Sequence, residues 1–279
     1  MKLHTINTGL FKLDGGAMFG VVPKSIWQKL NTPDANNLCT WAMRCMLIED
    51  GKQLILVDTG LGNKQDAKFF SYYEPHGDDS LQKSLNALGF HTDDVTDVIL
   101  THLHFDHCGG AIERNSEGAL RPAFKNATYW SHDKHWQWAT QPNAREKASF
   151  LKENILPIQE SGQLKFTDET NNDVNPNIAL KSVCGHTESM FIPHIQYKGS
   201  TIVYCADLLP SAAHIPLPYV MAYDTRPLLT LDEKKVVLEE AAAKGHYLFF
   251  EHDKSNECCT VKMTDRGARE DKTLKLGEL

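Results

Sequence analysis

Four side chains that bind metals readily, His102, His104, Asp106 and His107, fall within six residues of one another. They close the stretch Val98-Ile-Leu-Thr-His-Leu-His-Phe-Asp-His-Cys-Gly-Gly110. Three imidazoles and a carboxylate are seldom needed this close together for packing. Each buried polar group must find a partner, and four crowded together have few available. Imidazole and carboxylate suit zinc, and also iron, cobalt or manganese. Residues two apart in an extended chain face the same way, so His102 and His104 can grip one ion. The chain must then turn, which sends Asp106 and His107 toward a second. Gly109 and Gly110 are expected to permit that tight backbone.

Three other segments that read as strands end in a potential ligand. Val183 precedes Gly185-His186, Cys205 precedes Asp207, and Phe250 precedes His252. A lone His or Asp after a strand is more often a turn residue or a cap. Four such loops together argue for one site. Two ions about 3.5–4 Å apart need about seven protein ligands with a carboxylate between them. His102, His104, Asp106, His107, His186, Asp207 and His252 supply that set.

The elements that must carry these loops follow from periodicity and punctuation. Leu3–Leu13, Trp41–Ile48, Gln53–Val57, Val95–Leu100, Ala127–Trp130, Leu164–Thr167, Ile178–Val183, Met190–Tyr197, Thr201–Cys205 and Tyr247–Phe250 read as strands. Asp78–Gly89 and Leu231–Lys244 have the apolar faces and glycine stops of helices. Ser25–Leu30, His132–Trp138 and Arg145–Ile155 read as further helices. Asp14-Gly-Gly16 reads as a turn, Lys64–Gly77 as a loop, and Lys254–Leu279 as a polar tail. Strands in hairpins mixed with helices predict an α/β (α+β) chain with sheets covered by helices. One domain over residues 1–279 is expected.

The motif Thr101-His-Leu-His-Phe-Asp-His-Cys-Gly-Gly110 resembles the T-H-x-H-x-D-H-x-G-G signature of the metallo-β-lactamase-fold hydrolases. Asp58-Thr59-Gly60, Gly185-His186-Thr187, Asp207 and His252 match that family's other motifs in order. The resemblance implies a four-layer αβ/βα sandwich of two mixed sheets flanked by helices. It also implies two divalent ions, zinc first, with iron, cobalt or manganese as substitutes. His102, His104 and His186 would hold one ion, Asp106, His107 and His252 the other, and Asp207 would bridge. Asp58 would hydrogen-bond within the ligand shell, since ligating imidazoles need their second nitrogen held.

Gly15-Gly-Ala-Met-Phe-Gly-Val-Val-Pro-Lys24, Cys205-Ala-Asp-Leu-Leu-Pro210 and Leu248-Phe-Phe-Glu-His-Asp253 resemble the branch of quorum-quenching N-acyl homoserine lactonases and methyl parathion hydrolase. That likeness implies a metal-dependent hydrolase that opens the lactone by attack of a hydroxide bridging the ions. Asp106 and Asp207 would be its catalytic carboxylates, with Asp106 passing a proton to the leaving oxygen. Met18, Phe19, Trp27, Phe69 and Phe70 are the expected walls of an acyl-chain pocket. Some lactonases carry a substrate-binding tyrosine three residues after the bridging aspartate. Here that position is Pro210, and Tyr223 or His214 would take over its role. A phosphotriesterase, an arylesterase or a hydroxyacylglutathione thioesterase is the alternative. A nuclease, a diiron oxidoreductase or a non-catalytic metal-binding protein is a more distant one.

The 279 residues are 41% apolar and 23% charged, with a net charge of −7. An acidic chain argues against nucleic acid or an anionic membrane as partner, and the resemblance implies a small ester or lactone instead. No apolar run reaches membrane-spanning length, and the first residues lack the apolar core of a secretory signal. Seven cysteines without a CxxC pair favour reduced thiols and a cytoplasmic location. Ala17–Trp27 is apolar enough to leave a homodimer contact open.

Overall fold

Apolar runs set the strands and short capped helices join them, in a computed structural model that describes residues 1–279. The first half of the chain runs β1 (Lys2–Asp14), α1 (Gly15–Phe19), α2 (Lys24–Trp27), β2 (Leu38–Asp50), β3 (Gln53–Val57), α3 (Ala67–Tyr73) and α4 (Leu81–Ala87). It continues through β4 (Asp97–Ile99), α5 (Phe105–Cys108), β5 (Ile112–Arg114), β6 (Leu120–Pro122), β7 (Thr128–Ser131), α6 (Asp133–Thr140), α7 (Lys152–Glu160) and β8 (Leu164–Phe166). The remainder is β9 (Ile178–Val183), β10 (Met190–Tyr197), β11 (Ser200–Tyr204), α8 (Pro227–Lys244), β12 (Tyr247–Phe249), β13 (Cys258–Thr264) and β14 (Gly267–Leu274).

Two six-stranded sheets result, ordered β1-β2-β3-β4-β7-β8 and β14-β13-β12-β11-β10-β9. Both mix parallel and antiparallel pairs, as the α/β class expected from sequence requires. In the first sheet Leu54–Val57 is buried along its whole length. Such a continuous apolar run marks a strand covered on both faces. Its parallel neighbour β4 pairs in turn with β7, and that ladder closes with Ile99 opposite Trp130. That puts the ligand-rich Thr101–Gly110 segment directly beyond a strand end. In the second sheet β11 and β12 pair in parallel, and α8 is the crossover such pairing needs.

The chain divides into two compact units. One comprises Met1–Gly9, Met43–Tyr72 and His76–Pro176; the other comprises Leu10–Ala42, Tyr73–Pro75 and Asn177–Leu279. The first unit's core gathers Leu47, Leu56, Val98, Leu100, Leu103, Tyr129, Trp136 and Ile158. The second unit buries Phe11, Phe19, Trp27, Trp41, Tyr204 and Phe249 completely or nearly so.

Several expected elements differ. Asp14 does not turn the chain; it ends β1 and caps α1 by accepting from Ala17 N at 2.8 Å. The Lys64–Gly77 loop contains α3. The helix expected from Arg145 starts at Lys152, because Asn143 closes a turn on the amides of Arg145 and Glu146. Lys254–Leu279 is not a loose tail but the β13–β14 hairpin. Its outer residues are exposed, so it lacks the apolar alternation that marks a strand.

Candidate metal centre

In the first unit, β4 delivers Thr101 and His102, and α5 begins immediately after His104. His102 Nε2 and His104 Nδ1 lie 3.1 Å apart, and both rings are buried. Asp106 and His107 occupy the first turn of α5, with His107 Nε2 3.8 Å from an Asp106 oxygen. Helical winding therefore begins between the two pairs, after the extended His104.

The partners of these imidazoles fix which nitrogen carries hydrogen. Asp58, fully buried and at a positive φ of 57°, accepts from Thr101 N at 2.8 Å and from Thr101 Oγ1 at 2.6 Å. Its second oxygen also lies 3.2 Å from His107 Nδ1. A carboxylate only accepts, so Nδ1 of His107 is protonated and Nε2 is bare. Thr101 has spent its hydroxyl proton on Asp58, so it accepts from His102 Nδ1 at 3.1 Å. His102 Nε2 is therefore bare too. Glu146 faces His104 Nε2 at 3.5 Å and is itself held by Trp138 Nε1 and Asn143 Nδ2. That leaves His104 Nδ1 and His102 Nε2 as two neighbouring lone pairs.

The glycines after α5 serve a purpose other than the expected one. Gly109 has an ordinary helical φ of −60°. A Cβ there would stand 2.1 Å from the Leu61 carbonyl oxygen, and one at Gly110 would stand 2.2 Å from that of Thr59. Close backbone approach, not a special dihedral, is what demands glycine at both positions. Lys64, buried and with its pKa pushed down to about 8 by desolvation, donates to the Gly109 carbonyl. His135 Nε2 accepts from Leu103 N at 2.8 Å, at the residue between His102 and His104.

In the second unit, Asp207 follows β11 and presents one oxygen to each of two buried imidazoles. Its Oδ2 lies 3.1 Å from His186 Nε2 and its Oδ1 lies 3.1 Å from His252 Nε2. His186 Nδ1 meets Asp224 Oδ1 at 2.8 Å, and His252 Nδ1 meets the Ala42 carbonyl at 2.7 Å. Both partners are acceptors, so both Nδ1 atoms carry hydrogen. The Nε2 lone pairs then point at carboxylate oxygens. Two lone pairs against an anion repel, and a positive charge is required between them. A bound divalent cation would supply that charge. The donor chemistry of these buried His/Asp clusters therefore fits divalent metal.

Four of the residues expected in a substrate pocket are corrected. Met18, Phe19, Trp27 and His214 are each at most 1% exposed. Phe19 stacks on Trp27 at 5.5 Å and on His214 at 4.7 Å, so these side chains spend their surface on one another. Both nitrogens of His214 are engaged, by Ser211 Oγ and by the Met18 carbonyl. It has no atom left for a substrate carbonyl. Phe69 and Phe70 are half-buried, and Phe69 packs edge-on against Phe105 at 5.2 Å. Tyr223 is 39% exposed.

Sequence reasoning did not find Asp224, Glu146 or the Ala42 carbonyl. Asp224 lies 38 residues from the histidine it serves. The Asn143-x-x-Glu146 turn was the one local signal for Glu146. A backbone carbonyl leaves no trace in sequence.

The metallo-beta-lactamase superfamily model matches residues 44–252, which spans every donor from Asp58 to His252. The N-acyl homoserine lactonase of Bacillus thuringiensis is 26% identical over 270 residues, covering 92% of this chain and 94% of that protein. A probable metal-dependent hydrolase from Staphylococcus aureus shares 27% identity and superposes with a TM-score of 0.88, covering 98% and 96% of the two chains. AidC, a dizinc quorum-quenching lactonase, shares the fold at 21% identity and a TM-score of 0.77, covering 98% and 95%. No helix of this chain is long and apolar enough to cross a membrane. Two mixed sheets, buried His/Asp clusters beyond their strand ends and a family match over three quarters of the length make one conclusion: the chain belongs to the metallo-β-lactamase superfamily, as a metal-dependent hydrolase.

Proposed function

We propose that the protein is a lactonase that hydrolyses N-acyl homoserine lactones, with two divalent ions, zinc in first place. One hydrolase domain over residues 1–279 is part of this reading. His102, His104 and His186 would hold one ion and Asp106, His107 and His252 the other, with Asp207 shared. The observation that carries the reading is the split carboxylate of Asp207, one oxygen toward His186 and one toward His252. The whole-length similarity to a lactonase supports the substrate class.

Bound ions supply Lewis acidity to the carbonyl and a nucleophilic water at neutral pH. The chain's own groups do the rest. Asp58, Thr101, Glu146, Asp224 and the Ala42 carbonyl hold the ligand rings in single tautomers. Asp106 passes a proton to the ring oxygen as the acyl C–O bond breaks, so water and lactone give the N-acyl homoserine. Phe69 and Phe70 meet the acyl chain, and Tyr223, beside Asp224, takes the carbonyl contact that Pro210 cannot make.

Pro210 also favours a second reading, a phosphotriesterase or arylesterase, which needs no such tyrosine. Purified zinc-loaded protein assayed against N-acyl homoserine lactones of graded chain length, aryl esters, a phosphotriester and an acyl-glutathione separates the readings. The lactones should give the highest kcat/KM. A preference for phosphotriester or aryl ester by tenfold or more would assign the second reading instead.

A further inference from the structure

Lys234, in the middle of α8, is fully buried and has no carboxylate within salt-bridge range. Burying an ammonium costs several kcal/mol unless its donors are all used. Here they are. Lys234 Nζ donates to the carbonyls of His214 at 2.8 Å, Pro216 at 3.1 Å and Tyr219 at 2.8 Å. Three acceptors match the three hydrogens of the charged form.

The segment receiving this clamp has few donors of its own. His214-Ile-Pro-Leu-Pro-Tyr219 has two prolines, which carry no N–H, and its internal backbone bond is Tyr219 N to Pro216 O at 2.9 Å, so the carbonyls of His214 and Tyr219 take their donor from Lys234. The segment lies between Asp207 and Asp224, the residue that accepts from His186 Nδ1. On both sides of the segment the chain rests on the α1 region: Ala222 N donates to Ala17 O at 2.8 Å, and His214 Nε2 donates to Met18 O at 2.9 Å. Lys234 closes the same stretch from the opposite element.

The neighbouring residue on α8 grips the other half of the pair. Glu233 accepts from Cys184 N at 2.7 Å and Gly185 N at 2.9 Å, the two amides just before His186. Gly185 sits so close to α8 that a Cβ would stand 2.5 Å from Thr230 N. Arg226 N donates to Gly185 O at 2.8 Å, and Thr225 N to His186 O at 3.0 Å. One helix therefore fixes His186 through Glu233 and the approach to Asp224 through Lys234.

We propose that Lys234 is a positioning residue for the metal ligand His186: by tying the carbonyls of His214, Pro216 and Tyr219 to α8 it holds Asp224 against His186 Nδ1. This rests on reading His186 as a ligand. Lys234 touches neither the ion nor substrate, and acts through the loop and Asp224.

A double-mutant cycle on zinc affinity tests it. Wild type, Lys234→Met, Asp224→Asn, the double variant and His186→Ala are each titrated with zinc against a chromogenic chelator. Circular dichroism and melting of the metal-free forms are recorded alongside. Loss of an outer partner typically weakens metal binding about 10- to 100-fold, and both single variants should fall in that range. The double variant should bind no more weakly than the worse single one, because both break one chain of contacts. Lys234→Gln keeps two N–H donors on a shorter side chain and should fall between Met and wild type; it carries the test if the Met variant does not fold. A role confined to fold stability would lower melting while zinc losses multiplied in the double variant, and that outcome overturns the proposal. Wild-type zinc affinity in Lys234→Met also overturns it. Should His186→Ala bind zinc as tightly as wild type, the ligand assignment itself fails, whatever Lys234 does.

Discussion

Acid should destabilise this protein through His214, by an amount its surroundings fix. The ring has no exposed surface, stacks on Phe19 with the planes 2° apart, and bonds through both nitrogens. Burial pushes its pKa down to about 3, only partly opposed by the hydrogen bond to the Met18 carbonyl. In the unfolded chain the imidazole titrates near its ordinary value of about 6.5. A folded pKa below the unfolded one means that the unfolded state takes up the proton first. Stability is therefore complete above pH 6.5 and falls as the pH drops toward 3. The slope approaches about 1.4 kcal/mol per pH unit, so the interval from pH 7 to pH 5 costs about 2 kcal/mol through this one ring. Urea unfolding of wild type and His214→Gln at both pH values isolates the effect. Glutamine can still donate to Met18 O and accept from Ser211, but it does not titrate. The other titratable groups are common to both proteins, so the difference between the two losses reports His214. Wild type should lose about 2 kcal/mol more than the variant between pH 7 and pH 5. Equal losses would refute the assignment of His214 as a buried neutral ring.

Two further outcomes follow from the same geometry. Asp207→Asn removes the anion shared by His186 and His252, so metal retained after gel filtration should fall from about two ions per chain to well below one; elemental analysis reads this, and wild-type stoichiometry would refute the bridging role. Gly109→Ala forces a Cβ against backbone atoms of Leu61 at 2.1 and 2.5 Å, contacts no side-chain rotation can relieve. A cost of about 3 kcal/mol and a melting temperature lower by about 5–10 °C are expected, and an unchanged melting curve would show that the loop yields freely.

The residues expected to bind metal stand out in the sequence and the groups that hydrogen-bond them do not, for a physical reason. His102, His104, Asp106 and His107 stand out because no packing purpose explains four such groups together, and strand-end His186, Asp207 and His252 gain meaning from them. A support needs only to place one acceptor behind one nitrogen. For His252 that acceptor is the Ala42 carbonyl, which any residue could provide. For His186 it is Asp224, indistinguishable in sequence from a surface loop aspartate until the 214–224 chain is seen clamped by Lys234. The misread pocket has a related cause. Met18, Phe19 and Trp27 have the side chains of an acyl pocket and equally those of a core, and composition cannot choose between the two. What decides is His214: with Ser211 and Met18 occupying its nitrogens, it completes a closed aromatic stack with Phe19 and Trp27. Of the residues expected to wall the pocket, Phe69, Phe70 and Tyr223 are the ones that keep exposed surface.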